Sequence, residues 1–122
     1  MTELLISNLP PMRSSHKKSF AKCFKTLFEE TDKVCIATGY ISTEALTELK
    51  SIAEANQKGI ILVIGMHFFE GITIIQYQAA NYLNDFLVQN SLGKVYVTNA
   101  FKFHGKLYTF YKNNHIYAGI LG

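Results

Sequence analysis

Hydrophobic positions follow two rhythms along this chain of 122 residues. Val34-Cys35-Ile36-Ala37 and Ile60-Ile61-Leu62-Val63-Ile64 are unbroken apolar runs, the pattern of strands buried on both faces of a parallel sheet. Val95-Tyr96-Val97 makes a shorter third run. Around these runs the spacing becomes that of amphipathic helices. Phe20, Cys23, Phe24, Leu27 and Phe28 form one stripe, with Lys17, Lys18, Lys22 and Lys25 on the opposite side and Ser14 or Ser15 as cap. Ala45, Leu46, Leu49, Ile52 and Ala53 form a second stripe, started by Ser42 or Thr43 and closed by Asn56-Gln57-Lys58-Gly59, where the glycine suits a left-handed cap. A third helix is predicted over 72–90, with Ile72, Ile75, Ala79, Leu83, Phe86 and Leu87 inward. Residues 102–111 and 115–121 read as two strands joined at Lys112-Asn113-Asn114. Residues 1–13 contain Pro10-Pro11 and read as an extended arm.

Strand, helix, strand, helix, strand is the order of an α/β domain with parallel central strands and right-handed crossovers. The predicted fold is therefore α/β, with a mixed, mainly parallel sheet, flanking helices and a C-terminal antiparallel hairpin. No repeat, low-complexity tract or linker divides the chain, so residues 1–122 are read as a single domain. Ligands of such sheets gather beyond the carboxyl ends of the strands. Gly39, Gly65-Met66-His67 and Thr98-Asn99 fall there.

Composition sharpens this picture in two ways. Only 17% of residues are charged while 48% are hydrophobic, so part of the surface must be apolar, as at an interface. A dimer or a larger parent protein is expected. The net charge of +3 is also unevenly spread: no acid follows Asp85, whereas Lys94, Lys102, Lys106 and Lys112 do, with His104 and His115. A segregated positive end favours an anionic partner, nucleic acid being the commonest. A merely solubilising surface is an equal alternative on charge alone. Cys23 and Cys35 sit in apolar settings and read as reduced core residues of a cytoplasmic protein. No basic start followed by an apolar run marks a secretory leader, and no apolar stretch reaches the roughly 20 residues that span a bilayer. No partnership with a membrane is expected.

The candidate chemistry lies in Phe103-His104-Gly105-Lys106-Leu107-Tyr108. Side chains two apart on a strand share a face, so the imidazole of His104 and the ammonium of Lys106 would stand side by side, able to attack and grip a phosphodiester. A second match, His16-Lys17-Lys18, falls at a helix start, where residues two apart do not share a face. It reads as accidental. His67 and Asn99, at predicted strand ends, and Lys102, near the pair, are candidate substrate contacts. The histidines and cysteines lack the spacing of a zinc site.

The His104-Gly105-Lys106 strand, the turn after it and Ile116-Tyr117-Ala118-Gly119-Ile120-Leu121-Gly122 resemble the His-x-Lys region of the phospholipase D superfamily. There a second strand ends in Gly-Ser-x-Asn, whose first residue matches Gly122. Gly39-Tyr40-Ile41-Ser42 and Ile64-Gly65-Met66-His67 are similar to segments of the NgoFVII-type and BfiI-like restriction endonucleases of that superfamily. The likeness runs from about Lys33 to Gly122. It departs from the superfamily at Tyr111, where an aspartate is the rule, and it stops inside the Gly-Ser-x-Asn element. The chain thus looks like the front portion of a longer nuclease.

The resemblance implies DNA as substrate and a metal-independent mechanism with no cofactor. His104 would be nucleophile or general acid, and Lys106 the phosphate clamp. A second histidine would come from another subunit across a two-fold axis, so a homodimer with its site near that interface is expected. The alternative is a catalytically incomplete nucleic-acid-binding or assembly module. Its aromatics, Tyr96, Phe101, Phe103, Tyr108, Phe110 and Tyr111, would stack on bases, unless they pair across strands in the core. A phospholipid phosphodiesterase is a third class of the superfamily, but no interfacial amphipathic anchor supports it here.

Overall fold

The computed structural model describes residues 20–66, 71–98 and 105–122. In chain order the elements are α1 (Phe20–Glu30), β1 (Lys33–Thr38), α2 (Thr43–Asn56), β2 (Gly59–Ile64), α3 (Ile74–Gln89), β3 (Gly93–Val97), β4 (Lys106–Lys112) and β5 (His115–Leu121). The extended arm read for residues 1–13 and the cap at Ser14 or Ser15 lie outside the described residues.

The five strands form one mixed sheet in the order β3-β2-β1-β4-β5. β1, β2 and β3 are parallel neighbours, and β4 and β5 are the antiparallel hairpin. The α/β class, the three central strands and the hairpin agree with the sequence pattern. The hairpin does not extend the sheet beyond β3. It docks on the other side of β1, pairing Val34 with Phe110, Ile36 with Tyr108 and Thr38 with Lys106.

The core lies on one face. Burial alternates strictly along β1 and β2, with Val34, Ile36, Ile60, Leu62 and Ile64 at most 2% exposed. These residues and Phe110 pack with Phe24 and Phe28 of α1, Leu46, Leu49 and Ala53 of α2, and Ala79, Ala80, Leu83 and Leu87 of α3. All three helices therefore cover the same face. Right-handed crossovers taken in one direction across the sheet, β1 to β2 to β3, put α2 and α3 on one face, and α1 packs there through Phe24 and Phe28. Cys35, Ala37, Ile61 and Val63 point to the second face and are only half-buried. The expectation that these runs are buried on both faces is thus corrected, and Cys35 is a half-covered thiol rather than a core residue.

Local chemistry sets the element ends. Ser42 caps α2, its hydroxyl accepting from the Ala45 N–H at 3.1 Å. The left-handed residue after α2 is Gln57 (φ 52°), not Gly59 as the sequence suggested. Gly59 opens β2, where a side chain would meet the Leu92 carbonyl oxygen at 2.7 Å. α3 starts two residues later than expected. Thr73 and Gln76 form a reciprocal capping box there. Ile75, read as inward, falls in the first turn and is 66% exposed, while Ala79, Leu83 and Leu87 are buried as expected, joined by Ala80. The β4–β5 turn carries Asn113 and Asn114 at φ 54° and 64°, the paired left-handed conformation of a tight hairpin turn. Asp32 accepts from the Asn113 N–H at 2.7 Å and ties that turn to the start of β1.

Candidate functional site

The carboxyl ends of β1, β2 and β3 and the start of β4 meet at one end of the sheet. Hydrogen bonds beyond the strand ladders hold it. Gly39 donates to the Gly105 carbonyl at 3.1 Å, Gly65 to Thr38 at 2.9 Å, Met66 to Gly39 at 2.9 Å, and Thr98 to Ile64 at 3.0 Å. Gly39, Gly65 and Met66 are buried. The Thr38 hydroxyl, itself buried, donates to the Tyr40 carbonyl at 2.8 Å and fixes the turn leaving β1. The following helix, α2, begins at this end, so its partly positive N-terminus lies there as well.

Lys106 is the first residue of β4, exposed, and in register with Thr38. Its backbone N–H and C=O are both taken by Gly122, at 2.9 Å and 2.8 Å. Lys106 shares the pleat direction of Tyr108 and Phe110 and stands at the edge of a cavity of about 930 Å³ between α1 and α2. Phe20, Phe24, Tyr40, Leu49, Ile52 and Tyr108 are among the residues lining that cavity. Burial pushes the Tyr108 hydroxyl above its ordinary value, which keeps it a neutral donor and acceptor beside the site.

Of the residues singled out by sequence, Lys106 is therefore placed at the strand ends where ligands of such sheets bind. His104, Lys102, His67 and Asn99 lie outside the described residues. Phe101 and Phe103 do too. The other aromatics divide: Phe110 is 0% exposed and packs edge-on against Phe24 at 5.5 Å, so it is a core residue and no base-stacking platform. Tyr111 faces away from the helices, with the Lys33 ammonium 5.1 Å from its ring centre. Tyr96 is 49% exposed on the edge strand. The sequence reading placed Phe20 on a helical stripe and Tyr40 after a strand but did not place either at a site, since nothing in the local pattern says that a helix residue and a turn residue line one cavity with a strand residue 66 to 86 positions later.

The family model of the NgoFVII restriction endonuclease N-terminal PLD domain matches residues 18–122. The chain belongs to that family. The match covers α1 through β5, including the whole hairpin on which Lys106 stands. No curated protein matches the chain. Membership of this restriction endonuclease family points to a nuclease role, with DNA as the partner that the family implies. Among the described residues, no helix is long and apolar enough to cross a membrane.

Proposed function

We propose that this PLD domain hydrolyses DNA phosphodiesters through a covalent phosphohistidine, as the catalytic portion of a restriction endonuclease. The observation that supports it best is the position of Lys106: exposed, with its backbone bonded to Gly122, level with the carboxyl end of β1, within a family match that spans the fold. In this reading His104, two residues before Lys106, supplies the nucleophile. A neutral imidazole nitrogen attacks phosphorus, a P–N bond forms, and the P–O bond to the leaving strand breaks. The departing oxygen takes a proton from a second imidazolium, supplied by a second copy of the chain across a two-fold axis. Water then cleaves the P–N bond and regenerates the imidazole. Lys106 holds the non-bridging oxygens and offsets the charge that builds on them. Lys102, His67 and Asn99 are assigned to contacts along the phosphate backbone.

Histidine as nucleophile needs no metal-activated water. The test is DNA cleavage by the full-length protein in excess EDTA. Undiminished cleavage, abolished by His104→Ala with the fold retained by circular dichroism, is the expected result. Loss of cleavage on chelation would reject the mechanism. Salt-dependent DNA binding with no cleavage under any condition would instead favour an incomplete binding module.

A further inference from the structure

We infer that the cavity between α1 and α2 receives one unstacked nucleobase of the DNA strand whose phosphate lies on Lys106. The inference rests on the nuclease reading and adds a base-binding subsite to it. The cavity holds about 930 Å³, far more than a phosphate requires and within the range of organic-ligand pockets. Its lining is mostly hydrocarbon and aromatic, so a second phosphate is not its natural occupant.

The aromatic groups gather at the end that Lys106 borders. The Phe20 and Tyr108 ring centres are 5.1 Å apart and inclined at 57°, with Phe24 5.9 Å from Tyr108. Phe20 remains 36% exposed and Tyr40 44% exposed. Phe20, Tyr40, Tyr108 and Lys106 all line the cavity, so a flat π-system can meet aromatic rings there while its phosphate stays on the ammonium. Lys106 borders the same cavity as the aromatic rings, and the other charged residues lining it are Lys25, Glu29 and Glu48. The Ser42 hydroxyl lies on the lining and, while its oxygen accepts from the Ala45 N–H, keeps its own proton to donate to a base edge. Stacking of this kind tolerates any base, because every base has a π-face. The subsite therefore holds a strand in register without reading its sequence.

The test uses the full-length protein carrying His104→Ala, so that DNA stays intact, and short single-stranded oligonucleotides followed by fluorescence anisotropy. One set is fully based; a second set carries a single abasic position moved along the strand. Phe20→Leu and Tyr40→Ala should each weaken binding of the based strand by about 5- to 100-fold, the range of one lost stacked base. One abasic position should weaken binding of the parent equally, and the two losses should not add. The slope of affinity against salt should stay unchanged in both variants and become shallower in Lys106→Ala. If the two aromatic variants bind every strand like the parent while Lys106→Ala does not, the base subsite is wrong and the phosphate site stands. If losses from variant and abasic position add fully, the ring variants act elsewhere and the inference also fails. Displacement of DNA by phosphatidylglycerol vesicles, abolished by Phe20→Leu, would make the cavity an acyl-chain site and overturn the inference. Failure of the parent to bind any oligonucleotide would instead overturn the nuclease reading on which it rests.

Discussion

Lys106 and Gly122 exchange both of their backbone hydrogen bonds, at 2.9 Å and 2.8 Å. The backbone of Lys106 is thus held by β5, in register with Thr38 of β1, while its side chain stays exposed. Position and charge are separable at this residue. Lys106→Ala should leave the urea midpoint nearly unchanged, within about 0.5 kcal/mol as for surface substitutions. Cleavage of DNA by the full-length protein should fall by about 100-fold or more, the usual loss when one stabiliser of transition-state charge is removed. A variant that unfolds, or one that cleaves at the parental rate, would show that the clamp assignment is wrong.

Phe110 is the anchor of the hairpin. It is fully buried, pairs with Val34 and packs edge-on against Phe24. Phe110→Ala should cost about 3–5 kcal/mol in equilibrium unfolding, the range for a large aromatic emptied from a core. Tyr111→Ala, on the less covered face, should cost markedly less. Equal losses at the two positions would contradict the one-sided core.

Gly93 opens β3 at φ +154°, and a Cβ there would stand 1.8 Å from the Ile60 carbonyl oxygen. Backbone on both sides of that contact cannot yield without breaking the β2–β3 ladder. Gly93→Ala should therefore lower the thermal midpoint severely or prevent soluble expression. Gly71→Ala meets nothing within 4 Å but is strained at φ +96°, and should be milder. The comparison separates steric clash from backbone strain.

The hairpin turn can be improved. Asn114 sits at φ 64°, where glycine has no steric cost, and Asn-Gly is the preferred pair for such turns. Asn114→Gly should raise stability by about 0.5–1 kcal/mol in urea unfolding. A loss of stability would mean that the Asn114 side chain contributes more than its backbone strain removes.

Alkaline pH should weaken the fold in two steps. Burial raises the Cys35 thiol above its ordinary 9.0, against a smaller opposing pull from Lys33. Burial alone raises the Tyr108 hydroxyl above 10.0. In both cases the folded state holds its proton more tightly, so the contribution is complete below the ordinary value and is lost as pH rises through the raised one. The stability difference between the parent and Cys35→Ala should stay constant up to about pH 9.0 and shift against the parent above it. Tyr108→Phe should show the same behaviour from about pH 10.0. Differences independent of pH would refute the burial of these groups.

Much of this could be read from the chain in order. The runs at Val34 and Ile60 and the stripes at Phe24 and Leu46 are local patterns, and they became the elements their spacing predicts. The failures have separate causes. Ile75 follows the periodicity of α3 and shares the stripe of Ala79 and Leu83, but it falls in the first turn of the helix and is exposed. Gly59 looks like a helix cap, yet close approach of the Leu92 carbonyl claims it for β2. An apolar run such as Val34-Cys35-Ile36-Ala37 does not say whether one face or two will be covered.

What the sequence by itself determined is the set of elements and the family, since both are carried by neighbours along the chain. Only the tertiary structure decided that β4 pairs with β1 rather than extending the sheet past β3. That pairing joins segments about 70 positions apart through backbone groups every residue has, so no local signal encodes it. Yet it is the pairing that brings Lys106 level with Thr38 and within reach of Phe20 and Tyr40, and thereby creates both the candidate site and the cavity beside it.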